Sequence, residues 1–183
     1  MIKVNVRRGD QIESVHEIKV AVLDSKEKTI FSTKNNKDIT YPRSAIKIFQ
    51  SIPLILSGAA EFYNLTDKQI AISSSSHFGE PSHIKILKDW LKKTNIKEQY
   101  LKCGIHNPLN LNSSNNLLLS RKKPSPIYNN CSGKHLGMLT TSKYKKYSIK
   151  NYTNFNHPIQ KSILRILEEF NECKVPQKSK AID

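Results

Sequence analysis

Arginine is scarce in this chain of 183 residues: only Arg7, Arg8, Arg43, Arg121 and Arg165 stand beside 25 lysines. Arginine is the side chain that forks onto phosphates and guanines, so the formal charge of +15 reads as a solvated lysine coat and not as a specific nucleic-acid surface. The lysines are scattered among asparagine and isoleucine, and the densest basic runs, RKK at residues 121–123 and KYKK at 143–146, are short. Long apolar runs are missing too. The longest uncharged stretch, residues 48–60, is too short to span a bilayer and carries Pro53. The opening MIKVNVRRGD has no apolar core of the kind a secretory signal needs. Cysteine is limited to Cys103, Cys131 and Cys173, an odd number without framework spacing, which points to reduced thiols and a cytoplasmic setting. With one tryptophan and 37% hydrophobic residues, the composition suits a soluble globular domain.

The hydropathy pattern predicts both strands and helices. Residues 12–23 are rich in β-branched side chains and read as a strand, with residues 28–33 returning as its hairpin partner. A helix is expected from Arg43 or Ser44 to about Phe62, with Pro53 and Gly58 as local faults. Pro81 opens another helix, with Ile84, Leu87, Trp90 and Leu91 on its inner face. Residues 102–126 read as a long polar surface loop. A turn near Asn129 leads into a helix bearing Leu136, Met138 and Leu139, and a last helix covers residues 157–170. One hairpin plus helices, with little else to cover the hairpin, reads as an incomplete α+β domain spanning residues 1–183.

Three clusters carry candidate chemistry. The first is YPRSAIKIFQ, where Ser44 stands three residues before Lys47. Ser-x-x-Lys alone means little: five such pairs occur (Ser25/Lys28, Ser44/Lys47, Ser82/Lys85, Ser120/Lys123, Ser142/Lys145), and 20 serines with 25 lysines give about three by chance. Only Ser44/Lys47 leads directly into an apolar helix, where positions i and i+3 share a face and the amine can reach the hydroxyl. Burial and the adjacent Arg43 would both favour the neutral amine that a base requires. The plainer reading is a capping serine and a lysine whose stem lies along apolar surface.

The second cluster is SSSSHFGEPSH at residues 73–83, where Ser76 or His77 could touch a substrate; a polar turn closed by Gly79 is the plainer alternative. The third is NNCSGKHLG at 129–137, with Cys131 and Lys134 one turn apart, His135 beside them, and Gly133 permitting close backbone approach. That spacing suits a metal or a reactive thiol, although lysine is an unusual zinc ligand and ordinary Cys/His zinc spacing is absent. Cys103, in LKCGIHNP, reads as structural.

Taken together, RSAIKIFQSIPLILSGAA, SSSSHFGEPSH, LKCGIHNP, SPIYNNCSGKHLGML and HPIQ resemble the rhizobial-type L-asparaginase family, in order and separation, from about Arg8 to Asp183. The resemblance implies a fold similar to serine β-lactamases and glutaminases, and hydrolysis of L-asparagine to L-aspartate and ammonia. It places Ser44 and Lys47 as a first serine–lysine pair, Ser76 as the serine of a second pair, and Arg43 as its supporting neighbour. It likewise makes Cys131 and Lys134 two ligands of a zinc ion, and His135 and Asp183 substrate contacts. In that family the segment matching AID continues into a Gly-Cys pair whose cysteine is the third zinc ligand, and the second lysine lies later still. The chain is therefore expected to be an N-terminal portion, with a homodimer or a complementing C-terminal chain as partner.

Rival readings make different demands. A non-catalytic fragment acting through binding or assembly predicts rescue by a separate C-terminal chain. A lysine-rich nucleic-acid binder predicts steep salt dependence. A penicillin-recognising acyl-enzyme protein shares Ser-x-x-Lys, but the NNCSGKH block argues against it.

Overall fold

The computed structural model describes residues 2–33 and 41–176. The chain forms two compact units, Met1–Tyr41 and Pro42–Asp183. The described residues hold helices and small antiparallel sheets, an α+β composition.

The first unit contains two hairpins where the sequence predicts one. Strand β1 (Ile2–Arg8) pairs antiparallel with β2 (Gln11–Ile18), and β3 (Ala21–Leu23) pairs with β4 (Thr29–Ser32). The continuous strand expected over residues 12–23 is thus broken at Lys19-Val20. Its first half finds its partner upstream, across the turn at Gly9-Asp10, so residues 28–33 pair only with the second half. Asp24 closes the second hairpin by accepting the backbone N–H groups of Lys26 and Lys28, each at 2.9 Å.

The second unit is helical: α1 (Lys47–Leu56), α2 (Ala59–Phe62), α3 (Asp67–Ser73), α4 (Pro81–Thr94), α5 (Leu111–Leu119), α6 (Ser132–Tyr144) and α7 (Pro158–Phe170). The single helix expected to run to Phe62 stops at Leu56, because Gly58 takes up φ +81° and starts α2 afresh. Pro81 opens α4 and Pro158 opens α7, each at the first turn, where no N–H is needed. The loop expected over residues 102–126 contains α5. Its start is fixed by Asn110, whose side chain accepts the Ser113 N–H at 2.9 Å.

Helix α6 is the centre of this unit and is buried on every side from Ser132 to Ser142. It carries small residues where neighbours approach, and its two threonine hydroxyls are satisfied inside the helix: Thr140 Oγ1 donates to the Leu136 carbonyl at 2.8 Å and Thr141 Oγ1 to that of Gly137 at 3.0 Å. Around it α1, α3, α4 and α7 contribute Leu54, Ile72, Leu87, Trp90, Ile159 and Ile163 to one core. The α3–α6 contact is close enough that a Cβ on Gly133 would sit 2.2 Å from the Ile72 carbonyl oxygen. Only glycine fits there. Among the described residues no helix is long and apolar enough to cross a membrane.

Candidate active site

Three of the sequence blocks singled out above meet at one amine. Lys47, the first residue of α1, is 1% exposed, whereas the lysines of the other four Ser-x-x-Lys pairs are all exposed. Its Nζ donates to Ser76 Oγ at 2.7 Å, to the Ser75 carbonyl at 3.1 Å and to the Asn130 carbonyl at 3.4 Å. A buried amine needs such acceptors, since an unpaired polar group costs about 1–3 kcal/mol in lost hydration and a charged one more.

Ser76 Oγ in turn donates to Ser44 Oγ at 3.0 Å. The hydroxyl of Ser44 is therefore coupled to Lys47 through Ser76. The direct contact that i, i+3 spacing suggests is replaced by a relay, because Ser44 lies in a 3-10 turn (Arg43–Ile46) ahead of α1 while the Lys47 stem turns inward. Arg43 precedes Ser44 with φ +46°, a left-handed backbone rare for a residue with a side chain, and is itself exposed.

The helix end at Ser73 decides which of the four serines enters the site. Thr66 and Gln69 cap α3 reciprocally at its start. At its end, Ser73, Ser74 and Ser75 turn their hydroxyls back onto the carbonyls of Ile70, Ala71 and Ile72, at 2.6, 3.0 and 3.3 Å. Ser76 is the first serine past those carbonyls, and its hydroxyl alone of the four meets Lys47 and Ser44.

His77 is 3% exposed and both of its ring nitrogens are engaged inside the protein, so the substrate contact that the sequence allowed is not open to this ring. Gly79 N–H donates to its Nδ1 at 3.1 Å, and its Nε2 lies 2.8 Å from Ser132 Oγ. Burial first, then His83 and Lys47, lower its pKa from 6.5 to about 4.

The third block lies on the other side of Lys47. Cys131 is half-buried at the start of α6, its N–H held by Asn129 Oδ1 at 2.8 Å and its Sγ 3.3 Å from Asn130 Oδ1. Lys134 and His135 are buried on the first turns of α6. His135 Nδ1 is 2.7 Å from the hydroxyl of Tyr152, which also accepts the Lys102 N–H at 2.9 Å. Burial drives the Tyr152 pKa up, so it stays a neutral phenol. Asp183, expected to contact substrate, lies outside the described residues.

Two participants escape sequence reading. Tyr152 sits in a polar stretch, NYTNFN, with no signal of burial, yet it is fully buried and fixes His135. Cys103, read as structural, is close enough to Cys131 and Lys134 to feel their charge. Its pKa is raised to about 12, mainly by burial. Asn129 Nδ2 ties that loop to the third block by donating to the Cys103 carbonyl at 2.6 Å.

Cys131 and Lys134 place a thiol, an ordinary zinc ligand, one helical turn from an amine, an unusual one. Among the described residues no group of three or more His, Cys, Asp or Glu side chains is arranged to hold a metal ion.

Chemically, the arrangement offers a hydroxyl at the exposed end of a hydrogen-bonded chain whose other end is a buried amine. No curated protein matches the chain. The family model for L-asparaginase II matches residues 4–183, nearly the whole length, and includes all three blocks that converge on Lys47. The chain belongs to the L-asparaginase II family.

Proposed function

We propose that this chain hydrolyses the side-chain amide of L-asparagine to L-aspartate and ammonia, with Ser44 as nucleophile, Ser76 as relay and Lys47 as base. The carrying observation is the unbroken sequence of contacts Lys47 Nζ–Ser76 Oγ–Ser44 Oγ, at 2.7 and 3.0 Å. A primary amide is a poor electrophile, so the attacking hydroxyl must shed its proton as the bond forms. With the Lys47 amine neutral, both hydroxyls rotate without moving their oxygens. Ser44 then passes its proton to Ser76 Oγ as Ser76 passes its own to Lys47 Nζ. The tetrahedral adduct expels ammonia, which takes the proton back along the same chain, and leaves an aspartyl ester on Ser44. Water, deprotonated by the same relay, hydrolyses that ester and regenerates the serine.

Ser44 is assigned the acyl group because it is the end of the chain remote from the buried amine. Ser76 has Lys47 on one side and Ser44 on the other, which suits a relay better than a nucleophile. Arg43 and His135 are proposed to hold the substrate's charged ends, together with Asp183. Zinc belongs to the proposal as well. Cys131 and Lys134 would hold it, and a bound ion would supply a positive charge that orients the substrate carboxylate. The fold inferred with this reading is that of the serine β-lactamases and glutaminases.

The test is ammonia release from L-asparagine and L-glutamine by the full chain, with and without added zinc, beside Ser44→Ala, Ser76→Ala and Lys47→Met. Loss of release in all three variants supports the relay. Full activity in Ser44→Ala would reassign the nucleophile to Ser76, and full activity in Lys47→Met would remove the base.

A second reading, assembly with another polypeptide, draws on Ile48, Leu56 and Phe62, which are 62%, 76% and 65% exposed. Sedimentation of the purified chain separates it from the first: a monomer that releases ammonia needs no partner.

A further inference from the structure

We propose that His77 is a positioning residue that holds Ser76 in line between Lys47 and Ser44 by clamping residues 74–79 to the start of α6. The inference rests on the serine–lysine reading above and adds to it a group that touches neither substrate nor the reacting atoms.

The hydrogen-bond directions are fixed by what each atom is able to do. The Gly79 backbone N–H only donates, so His77 Nδ1 must accept it, and the ring carries its single proton on Nε2. Nε2–H then donates to Ser132 Oγ at 2.8 Å, and Ser132 Oγ–H donates onward to the Ile127 carbonyl at 3.0 Å. Every donor in the sequence Gly79, His77, Ser132 has one acceptor, and the ring is buried. A second ring proton would point straight at the Gly79 N–H. The clamp therefore exists only with a neutral imidazole. The charged or titratable groups facing it, the His83 ring at 5.5 Å between centroids and the Lys47 amine, both favour that form, and its lowered pKa agrees.

Among the described residues two long-range hydrogen bonds hold residues 77–79, His77 to Ser132 and the Phe78 carbonyl to the Asn110 N–H at 2.9 Å, and the clamp is the one next to Ser76. Ser76 is exposed, and its hydroxyl must stay within hydrogen-bond reach of two atoms at once. His77 is the adjacent residue and ties that backbone to α6, the helix whose preceding turn also supplies the Asn130 carbonyl to Lys47. Ser76 and one of the acceptors of Lys47 are thereby referenced to the same buried helix end. Gly79 completes the geometry: it adopts φ +73°, and a Cβ there would lie 3.0 Å from Pro108.

The two halves of the clamp are separable by substitution. In His77→Asn the amide oxygen replaces Nδ1 but nothing reaches Ser132. In His77→Gln the amide nitrogen replaces Nε2–H and the bond to Ser132 survives. Backbone hydrogen exchange over residues 74–79 and steady-state ammonia release are measured for both variants, for Ser132→Ala and for the double variant His77→Asn/Ser132→Ala. His77→Asn is expected to exchange faster over residues 74–79 and to lose about 10-fold to 10²-fold in kcat with KM little changed. His77→Gln is expected to restore both, and the double variant to be no worse than either single one. If His77→Asn does not fold, Ser132→Ala carries the same comparison from the other end.

Unchanged exchange in His77→Asn and Ser132→Ala overturns the clamp whatever the activity. Faster exchange with undiminished kcat, while Ser44→Ala is dead, overturns its role in positioning. An inactive wild-type chain overturns the amidohydrolase reading and with it the catalytic half of the inference, while the exchange result still decides the clamp.

Discussion

Acid should destabilise the folded chain through His77 by an amount that follows from its surroundings. The ring is held from the ordinary 6.5 down to about 4, by burial first and by His83 and Lys47 after it. Between those two values the unfolded chain binds a proton at this position that the folded chain refuses. The contribution is thus fully present above pH 6.5, declines as the pH falls, and levels off below about 4. At about 1.4 kcal/mol per pH unit the whole interval is worth about 3 kcal/mol, of which about 2 kcal/mol is gone by pH 5. That is a large share of the stability of a small domain.

The assay is urea unfolding of the wild type and of His77→Gln at a series of pH values from 7.5 to about 4. Glutamine does not titrate, and the carboxylates common to both proteins cancel in the difference. The wild type is expected to lose about 2 kcal/mol relative to the variant between pH 7 and pH 5. A difference that stays flat over this range would refute the reasoning, because it would mean that the folded ring protonates as easily as the unfolded one.

Further outcomes are expected elsewhere. Lys47→Met should lower kcat for ammonia release by at least about 10²-fold, the usual worth of a general base, while the unfolding transition stays cooperative. Gly133→Ala places a methyl carbon 2.2 Å from the Ile72 carbonyl oxygen, so chemical denaturation should show a loss of about 1–3 kcal/mol or more and a separation of α3 from α6. Tyr152→Phe leaves the Lys102 N–H and His135 Nδ1 without their shared partner and should cost about 1–3 kcal/mol in the same assay. With its thiol pKa raised to about 12, Cys103 should resist iodoacetamide in the native chain at pH 8, while exposed Cys173 reacts; mass spectrometry of the labelled peptides reads this directly.

Helix boundaries set by proline were legible in the sequence, since Pro81 and Pro158 act through their own ring geometry. The hairpins were only half legible. Residues 12–18 are exposed along nearly their whole length, so burial does not choose their partner, and the choice falls to the turn at Gly9-Asp10 over the one at residues 24–27. Helix α5 was hidden by composition. Its Asn and Ser residues lower intrinsic helix propensity, and one buried side chain, Leu117, with the Asn110 cap anchors it.

The site shows the same division between local and long-range information. That Lys47 differs from the other lysines was readable, because the apolar helix behind it is contiguous in sequence. That its first partner is Ser76 was not, because the contact depends on where α3 ends. Had α3 run one residue further, the hydroxyl of Ser76 could have turned back onto a helix carbonyl, as those of Ser73, Ser74 and Ser75 do. The relay would then be open between Lys47 and Ser44. Gly133 bears on the same point from the other side: by letting α6 approach the Ile72 carbonyl, it brings the end of α3 against the turn that carries Asn130. A substitution that changes helix length near Ser73 or helix spacing at Gly133 should therefore cost activity without touching Ser44, Ser76 or Lys47.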